Sequence, residues 1–354
     1  MDRNDLNQYA HLGELDKMSS KITSQPLISV VIPVFNAEKF IHRCLDSVIS
    51  STLKNIEIIC IDDGSTDASL AILNEYKNKD PRIKVLSQVR SFAGTARNAG
   101  IAIARGVYIH FLDADDWIDV QAYEKWYKLA KDSDADVCTC MHYDVNNKTG
   151  KYVAASCAAY QKKADEYFSI TDLHKEPGYL INGVVVPWNK IYLRTFLIDN
   201  NIRFDHLICA EDRSFYFSVI YKAKKVATVR EYWIYHAVNL SSSLCGSDIR
   251  LANFDVHFRS FEIIWDTYKD ADDNIKRKIL ATCIGDSIYF YKKSIGTKYE
   301  DNIKDQMYNG WAVYFSILGN SVFKQPWFED FLAIVKDREQ KTGRKSSLYE
   351  DIIL

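Results

Sequence analysis

A chain of 354 residues can bury a sizeable core and fits two or three structural units, so it does not need disulfide or metal staples to fold. Its 45 basic and 47 acidic residues leave a net charge of -2, without the basic excess that attracts a nucleic-acid backbone, which excludes nucleic acid as the expected partner. Eight cysteines lie scattered in apolar runs without CxxC pairs, the usage of buried thiols in a reducing compartment.

Residues 1–26 are polar and contain no apolar run that would serve as a signal-peptide core. No later segment reaches the roughly 18 uncharged apolar residues of a spanning helix. The expected location is cytoplasmic, with peripheral contact on the cytoplasmic face of a membrane as an extension of that reading.

From Leu27 short apolar runs alternate with amphipathic stretches, the pattern of repeated βα units and a mostly parallel sheet. ISVVIP (28–33) is the first strand. Residues 38–50 carry Phe40, Ile41, Cys44, Leu45, Val48 and Ile49 at helical spacing. NIEIICID (55–62) is the second strand, and Asp67 is the expected N-cap of a helix over 68–78. RIKVLS (82–87) is the third strand, GTARNAGIAIAR (94–105) a helix, VYIHFLD (107–113) the fourth strand, 120–132 a helix, and ADVCTCM (135–141) a strand. Residues 142–187 lose the period and read as an insertion covering the sheet edge. Residues 209–224 fit a helix, and 225–238 read as a strand pair or one long strand. From about residue 248 the pattern is helical, with Phe254, Phe258, Phe261, Ile264 and Trp265 as a stripe.

The polar clusters fall at strand C-terminal ends, the edge where open α/β sheets bind ligands. The chief one is FLDADDW (111–117), with Asp113, Asp115 and Asp116. On an extended chain Asp113 and Asp115 share a side, and their mutual repulsion suits a hard cation such as Mg2+ or Mn2+ bridging to phosphate oxygens. A bare DxD is also common as a solvated acidic turn, so its neighbours must decide between the two.

Those neighbours are PVFN after the first strand, DDGSTD after the second, and GTARNAG opening a helix. With FLDADDW, in this order and spacing, they resemble the nucleotide-sugar half of family 2 inverting glycosyltransferases of the bacterial surface-glycan type, over residues 27–145. The resemblance implies a GT-A (Rossmann-like) α/β fold, a mostly parallel sheet flanked by helices, with a C-terminal helical extension. It also implies a UDP-sugar donor, Mn2+ or Mg2+, and inversion at the anomeric carbon. By the match, Pro33, Val34 and Asn36 hold the uracil and ribose edge. Asp63, or Asp62 in its place, accepts a hydrogen bond from the base. Arg97 lies near base and diphosphate, Asp113 at the ribose or donor sugar, and Asp115 on the metal with Asp113 beside it. Read without the match, Asp63 starts an Asx-turn and Arg97 is an exposed helix charge.

AEDRSF resembles the family's downstream ED motif, which makes Asp212 the general base and puts Glu211 on the acceptor side; both carboxylates also suit a helix N-terminus. PWNKIY resembles a segment preceding that motif, so Trp188, Asn189 and Lys190 are acceptor-side candidates, with core packing the alternative for Trp188. YHAVNLSSS resembles the place where a basic residue reaches the diphosphate, which makes His236 a phosphate or metal contact; a structural histidine is the alternative. The implied acceptor is a hydroxyl of a glycan or lipid-linked saccharide, and the implied cargo a hexose or N-acetylhexosamine.

The chain then divides into a polar tail (1–26), a nucleotide-sugar region (27–145), an acceptor part (146–247) and a helical subdomain (248–354). The last includes an aromatic and basic stretch (309–344) suited to a membrane surface, a subunit contact or a buried helix pair. Two other functions stay open: a sugar nucleotidyltransferase, whose glycine-rich start is replaced here by PVFN, and a catalytically silent sugar-binding or scaffolding relative. The ED pair argues against the second, which has no use for a base.

Overall fold

The computed structural model describes residues 25–155, 168–172, 183–238, 248–311, 314 and 325–343. Residues 1–24 of the expected tail, 22 residues of the insertion (156–167 and 173–182) and parts of the 309–344 stretch lie outside the described residues, as do Cys157, Cys245 and the NLSSS segment. The chain forms two compact units that divide between Ser241 and Ser242.

The first unit is a ten-stranded mixed sheet with helices. Strands β1 (Ile28–Val34), β2 (Ile56–Asp62), β3 (Ile83–Ser87) and β4 (Tyr108–Phe111) are parallel, in the order β3-β2-β1-β4. β1 and β2 are near-continuous apolar runs, as expected where both faces are covered. Helix α1 (Ile41–Ile49) buries Ile41, Cys44, Leu45 and Val48, an i, i+3, i+4, i+7 face. Helix α2 (Ser69–Lys79) starts one residue later than expected. Asp67 stands just outside it, where its Oδ1 accepts the Ser69 N–H at 2.9 Å and its Oδ2 the Glu38 N–H at 3.1 Å. Helix α3 (Phe92–Ile103) turns Ala96, Ala99 and Gly100 inward. A Cβ on Gly100 would lie 2.2 Å from Val31 Cγ1, so the sequence supplies glycine where α3 meets β1.

The chain fills β2 and β3 on one side of β1 and then returns to place β4 on the other. The strand order therefore switches between β1 and β4, the crevice where sheets of this kind bind ligands. PVFN and FLDADDW are the loops leaving those two strands.

Beyond β4 come β5 (Trp117–Ile118), helix α4 (Ala122–Ser133) and β6 (Val137–Asn146), which runs five residues further than expected. β7 (Tyr152–Ala154) and β8 (Phe168–Asp172) add antiparallel pairings to β6 and to the later strand over Lys225–Val238, so parts of the supposed insertion belong to the sheet itself. β9 (Lys190–Leu193) runs antiparallel between β4 and β6, and helix α5 (Arg194–Asp199) follows. Helix α6 (Glu211–Lys222) leads to β10 (Lys225–Val238), one long strand parallel to β6 with register shifts on either side of Tyr232. Its first half pairs with β8 and its second with β5.

The second unit holds α7 (Asp248–Ala252), α8 (Asp255–Thr267), α9 (Asp273–Ser294), α10 (Glu300–Trp311) and α11 (Phe328–Thr342). Asp272 caps α9 through the N–H groups of Asn274 and Ile275. Of the aromatic stripe, Phe254, Phe261 and Ile264 are fully buried and Phe258 packs on Trp311, so the stripe is this unit's core. No described helix is long and apolar enough to cross a membrane. The six described cysteines are all buried free thiols, as their placement in apolar runs implied.

Candidate active site

The loop after β2 is tied by backbone and side-chain hydrogen bonds to the loops after β1 and β3. Pro33 and Val34 end β1, and the Val34 carbonyl accepts the Asp63 N–H at 2.8 Å. Asn36 sits in the left-handed region (φ 50°), and its Oδ1 accepts the Thr66 N–H at 2.8 Å. Asp62 is buried, and its two oxygens accept Ser65 N–H and Ser87 O–H. The turn between needs Gly64: its φ is +74°, and a Cβ there would lie 3.0 Å from the Arg90 nitrogen.

Asp63 is more than the start of an Asx-turn. Its buried carboxylate accepts from Gln88 Nε2 (2.7 Å) and Ser91 N–H (2.8 Å) and pairs with Arg90. The Arg90 guanidinium lies 3.7 Å above the ring of Phe35, one of the larger exposed apolar side chains. Sequence reasoning singles out neither Arg90 nor Phe35. Phe35 stands inside PVFN, where the resemblance assigns roles to Pro33, Val34 and Asn36 alone, and Arg90 lies in a loop with no motif.

Arg97 is 5% exposed and is not a surface charge. Its Nη2 donates to Asp113 Oδ1 at 2.8 Å and its Nη1 to Glu211 Oε1 at 2.9 Å. One guanidinium thus joins the acidic loop after β4 to the ED pair of α6. Burial and the charge of Asp212 raise the Glu211 pKa, and Arg97 opposes both. Asp212 lies within reach of Arg97's charge, and no described residue hydrogen-bonds or ion-pairs with its carboxylate. The pair is presented by Ala210, a left-handed non-glycine residue (φ 62°) immediately before α6.

The acidic loop is a turn and not extended chain: the Asp116 N–H donates to the Asp113 carbonyl at 3.1 Å. Strand alternation therefore does not set the positions of Asp113 and Asp115, although their charges still interact. Burial, then Asp113, pushes the Asp115 carboxyl up to about 6. Asp116, which the sequence reading leaves without a donor or metal role, is fully buried; its Oδ1 accepts the Ala237 N–H of β10 at 2.8 Å, and its Oδ2 has no partner among the described residues. Next to it Trp117 pairs with Tyr235 and stacks on it at 5.4 Å, while the guanidinium of Arg43, from α1, lies 3.6 Å over the Trp117 ring and donates to the Asp115 carbonyl.

These ties bring His236, between Tyr235 and Ala237, close enough for its charge to act on Asp115. His236 Nδ1 is 2.9 Å from Asp144 Oδ1, and Trp188 stacks on the imidazole at 4.7 Å. That hydrogen bond is the main cause holding the Asp144 carboxyl below its ordinary range. Burial pushes His142, beside it, down to about 4. Asp144 and His142 carry no motif, and sequence reasoning misses them.

Trp188, Asn189 and Lys190, expected on the acceptor side, are all buried. Asn189 Nδ2 donates to the Cys140 carbonyl, and the Lys190 ammonium bonds to the Val186 carbonyl and Asn189 Oδ1. Lys190 opens β9 and Trp188 and Asn189 form the turn before it, and Trp188 packs its face on His236 and meets His142 edge-on.

The donor set fits a divalent cation. Three carboxylates lie in one turn, Asp115 is half-buried with a raised pKa, and a buried oxygen of Asp116 lacks a partner.

Residues 29–199 match the family model described as glycosyl transferase family 2. The Bacillus subtilis protein EpsH is 34% identical over 223 residues, 61% of this chain and 62% of EpsH. The poly(ribitol-phosphate) beta-glucosyltransferase of Bacillus spizizenii is 35% identical over 216 residues, 60% of this chain and 32% of that protein. The chain thus spans less than two thirds of either relative. The crystal structure of S. aureus TarS 1-349 in complex with UDP-GlcNAc superposes with a TM-score of 0.69 at 21% identity, covering 90% of this chain and 92% of that one, a likeness of fold. The switch-point loops, the mixed α/β sheet and these matches agree in likening residues 29–199, just under half of this chain, to glycosyl transferase family 2.

Proposed function

We propose that the protein is an inverting glycosyltransferase that moves a hexose or N-acetylhexosamine from a UDP-sugar to a hydroxyl of a bacterial surface glycan or lipid-linked saccharide. The observation that carries this reading is the Arg97 bridge, which holds the acidic donor loop and the ED pair within one hydrogen-bonded unit. The bound UDP-GlcNAc of the similarly folded TarS and the poly(ribitol-phosphate) beta-glucosyltransferase activity named for the B. spizizenii relative support the donor and acceptor classes.

In this reading the uracil lies by Phe35 and Asp63, in the loops formed by Pro33, Val34 and Asn36. Arg97 holds Asp113 toward the ribose or donor sugar. Asp115 and Asp113 would hold Mg2+ or Mn2+, and His236 would contribute a nitrogen to the ion or the diphosphate. The chemistry such an ion would supply is neutralisation of charge on the departing diphosphate. Asp212 accepts the proton of the acceptor hydroxyl as its oxygen bonds to the anomeric carbon; the bond from that carbon to the diphosphate breaks, and UDP leaves with the electron pair. Attack from the face opposite the leaving group inverts the configuration. The carboxylate of Asp212 suits this role because no described residue engages it, while Glu211 is held by Arg97.

A panel of UDP-, GDP-, CDP- and dTDP-sugars with Mn2+ or Mg2+ tests the donor. Slow hydrolysis of a UDP-sugar, abolished by chelator, is expected, and binding of none of the panel would sink the reading. Asp212→Asn is expected to keep UDP binding by calorimetry and to lose transfer by about 100-fold or more; loss of UDP affinity instead removes Asp212 as the base.

A further inference from the structure

We propose that His142, Asp144 and His236 form a binding site for one borderline transition ion of the Zn2+ class, distinct from the all-oxygen pair Asp113 and Asp115. The inference goes beyond glycosyl transfer and does not depend on it.

His142 and Asp144 are two apart on β6 and so share a face, and His236 lies directly opposite Asp144 in the parallel register with β10. Their donor atoms all lie within 4.8 Å of one another. His236 Nδ1 is 2.9 Å and His142 Nε2 3.7 Å from the same oxygen, Asp144 Oδ1. Bonds of about 2.0–2.2 Å to a tetrahedral Zn2+ put neighbouring donors roughly 3.3–3.5 Å apart, and the two observed separations straddle that edge. The two edges to Asp144 therefore need only sub-ångström adjustments, and the donor nitrogens of the two imidazoles stand within 4.8 Å of each other.

The rings are already held. Trp188, 4% exposed, stacks on His236 at 21° and meets His142 edge-on at 87°, both at 4.7 Å between centroids. Ligands held this way lose little freedom when an ion enters. Two imidazoles and one carboxylate are the donor set of open zinc sites, which keep a water in the fourth position. Mg2+, which takes oxygen ligands and keeps several waters, is disfavoured by the same set. A neutral imidazole metallated at Nδ1 carries its proton on Nε2, so an occupied site leaves His236 an N–H donor for a phosphate oxygen and not a second metal ligand.

The test is Co2+ titration of the full chain after stripping with chelator. One equivalent is expected to give the intense visible absorption of a tetrahedral ion, bleached by Zn2+ and untouched by excess Mg2+. His142→Gln is expected to abolish the band while Mg2+-dependent UDP binding stays within twofold of wild type, and Asp115→Asn is expected to leave the band in place. Absence of the band in the wild type, its survival in His142→Gln, its loss in Asp115→Asn, or a thiolate charge-transfer band each overturns the proposal. If His142→Gln does not fold, Asp144→Asn replaces it with the same expectation for the band. UDP binding in the same wild-type samples reports separately on the donor reading.

Discussion

Arg97 is a buried cation that earns its place through two carboxylates 16 and 114 positions away in the chain. Removing it leaves Glu211 as a desolvated charge without a partner, a change that costs about 3–5 kcal/mol. Arg97→Met is expected to lower stability by that amount in urea unfolding, and the double variant Arg97→Met/Glu211→Gln to recover part of it because the orphaned charge is gone. Asp115 gives a pH dependence. Its pKa rises on folding from the ordinary 3.8 to about 6, so the folded state binds the proton more tightly. That contribution to stability is complete below about 3.8 and is lost as pH rises through about 6. A divalent ion reverses the loss only when the carboxylate is ionised. The rise in melting temperature on adding Mn2+ is therefore expected to be larger at pH 7.5 than at pH 5, and an equal rise at both would remove Asp115 from the ligand set. The sequence could nominate these side chains by motif. It could not say that Lys190 is engaged by backbone oxygens, because that depends on which strand the lysine joins.

The elements of the parallel half follow from local pattern: apolar runs became β1 to β4, and the amphipathic stretches between them became α1 to α3 with shifts of one to three residues at their ends. The shifts arise where loop contacts compete with helical bonds, as at Asp67, whose carboxylate serves Glu38 as well as α2. The close approach of α3 to β1 gives a test of packing. Gly100→Ala drives a methyl into Val31 and is expected to cost about 1–3 kcal/mol, read as a lower urea midpoint with unchanged slope. Pairing beyond β4 was less legible. β9 has the composition of an ordinary apolar run, and nothing local specifies that it runs antiparallel between β4 and β6. β10 does its work through irregularity, since its register shifts near Tyr232 accompany the change of edge partner from β8 to β5, and this second half carries His236.

The two units each have a core of their own, aliphatic and aromatic around the sheet in the first and aromatic around α8 and α10 in the second. Every candidate residue for donor, metal and base lies in the first unit, which also holds the family match at 29–199. A chain of residues 25–241 is expected to fold cooperatively by circular dichroism and to bind UDP with Mg2+ within about threefold of the full chain, a difference below 1 kcal/mol. Loss of UDP binding in a folded fragment would show that the helical unit contributes to the donor site.

The order of apolar runs and the polar clusters between them determined the α/β class, the parallel half and the loops that face the ligand edge, because strand period and turn chemistry are local properties. Only the tertiary structure decided which carboxylates meet. The Arg97 bridge to Glu211 and the pairing of His236 with Asp144, 92 positions apart, are set by strand order and register. Those depend on how the whole sheet buries its faces, and no window of sequence contains them.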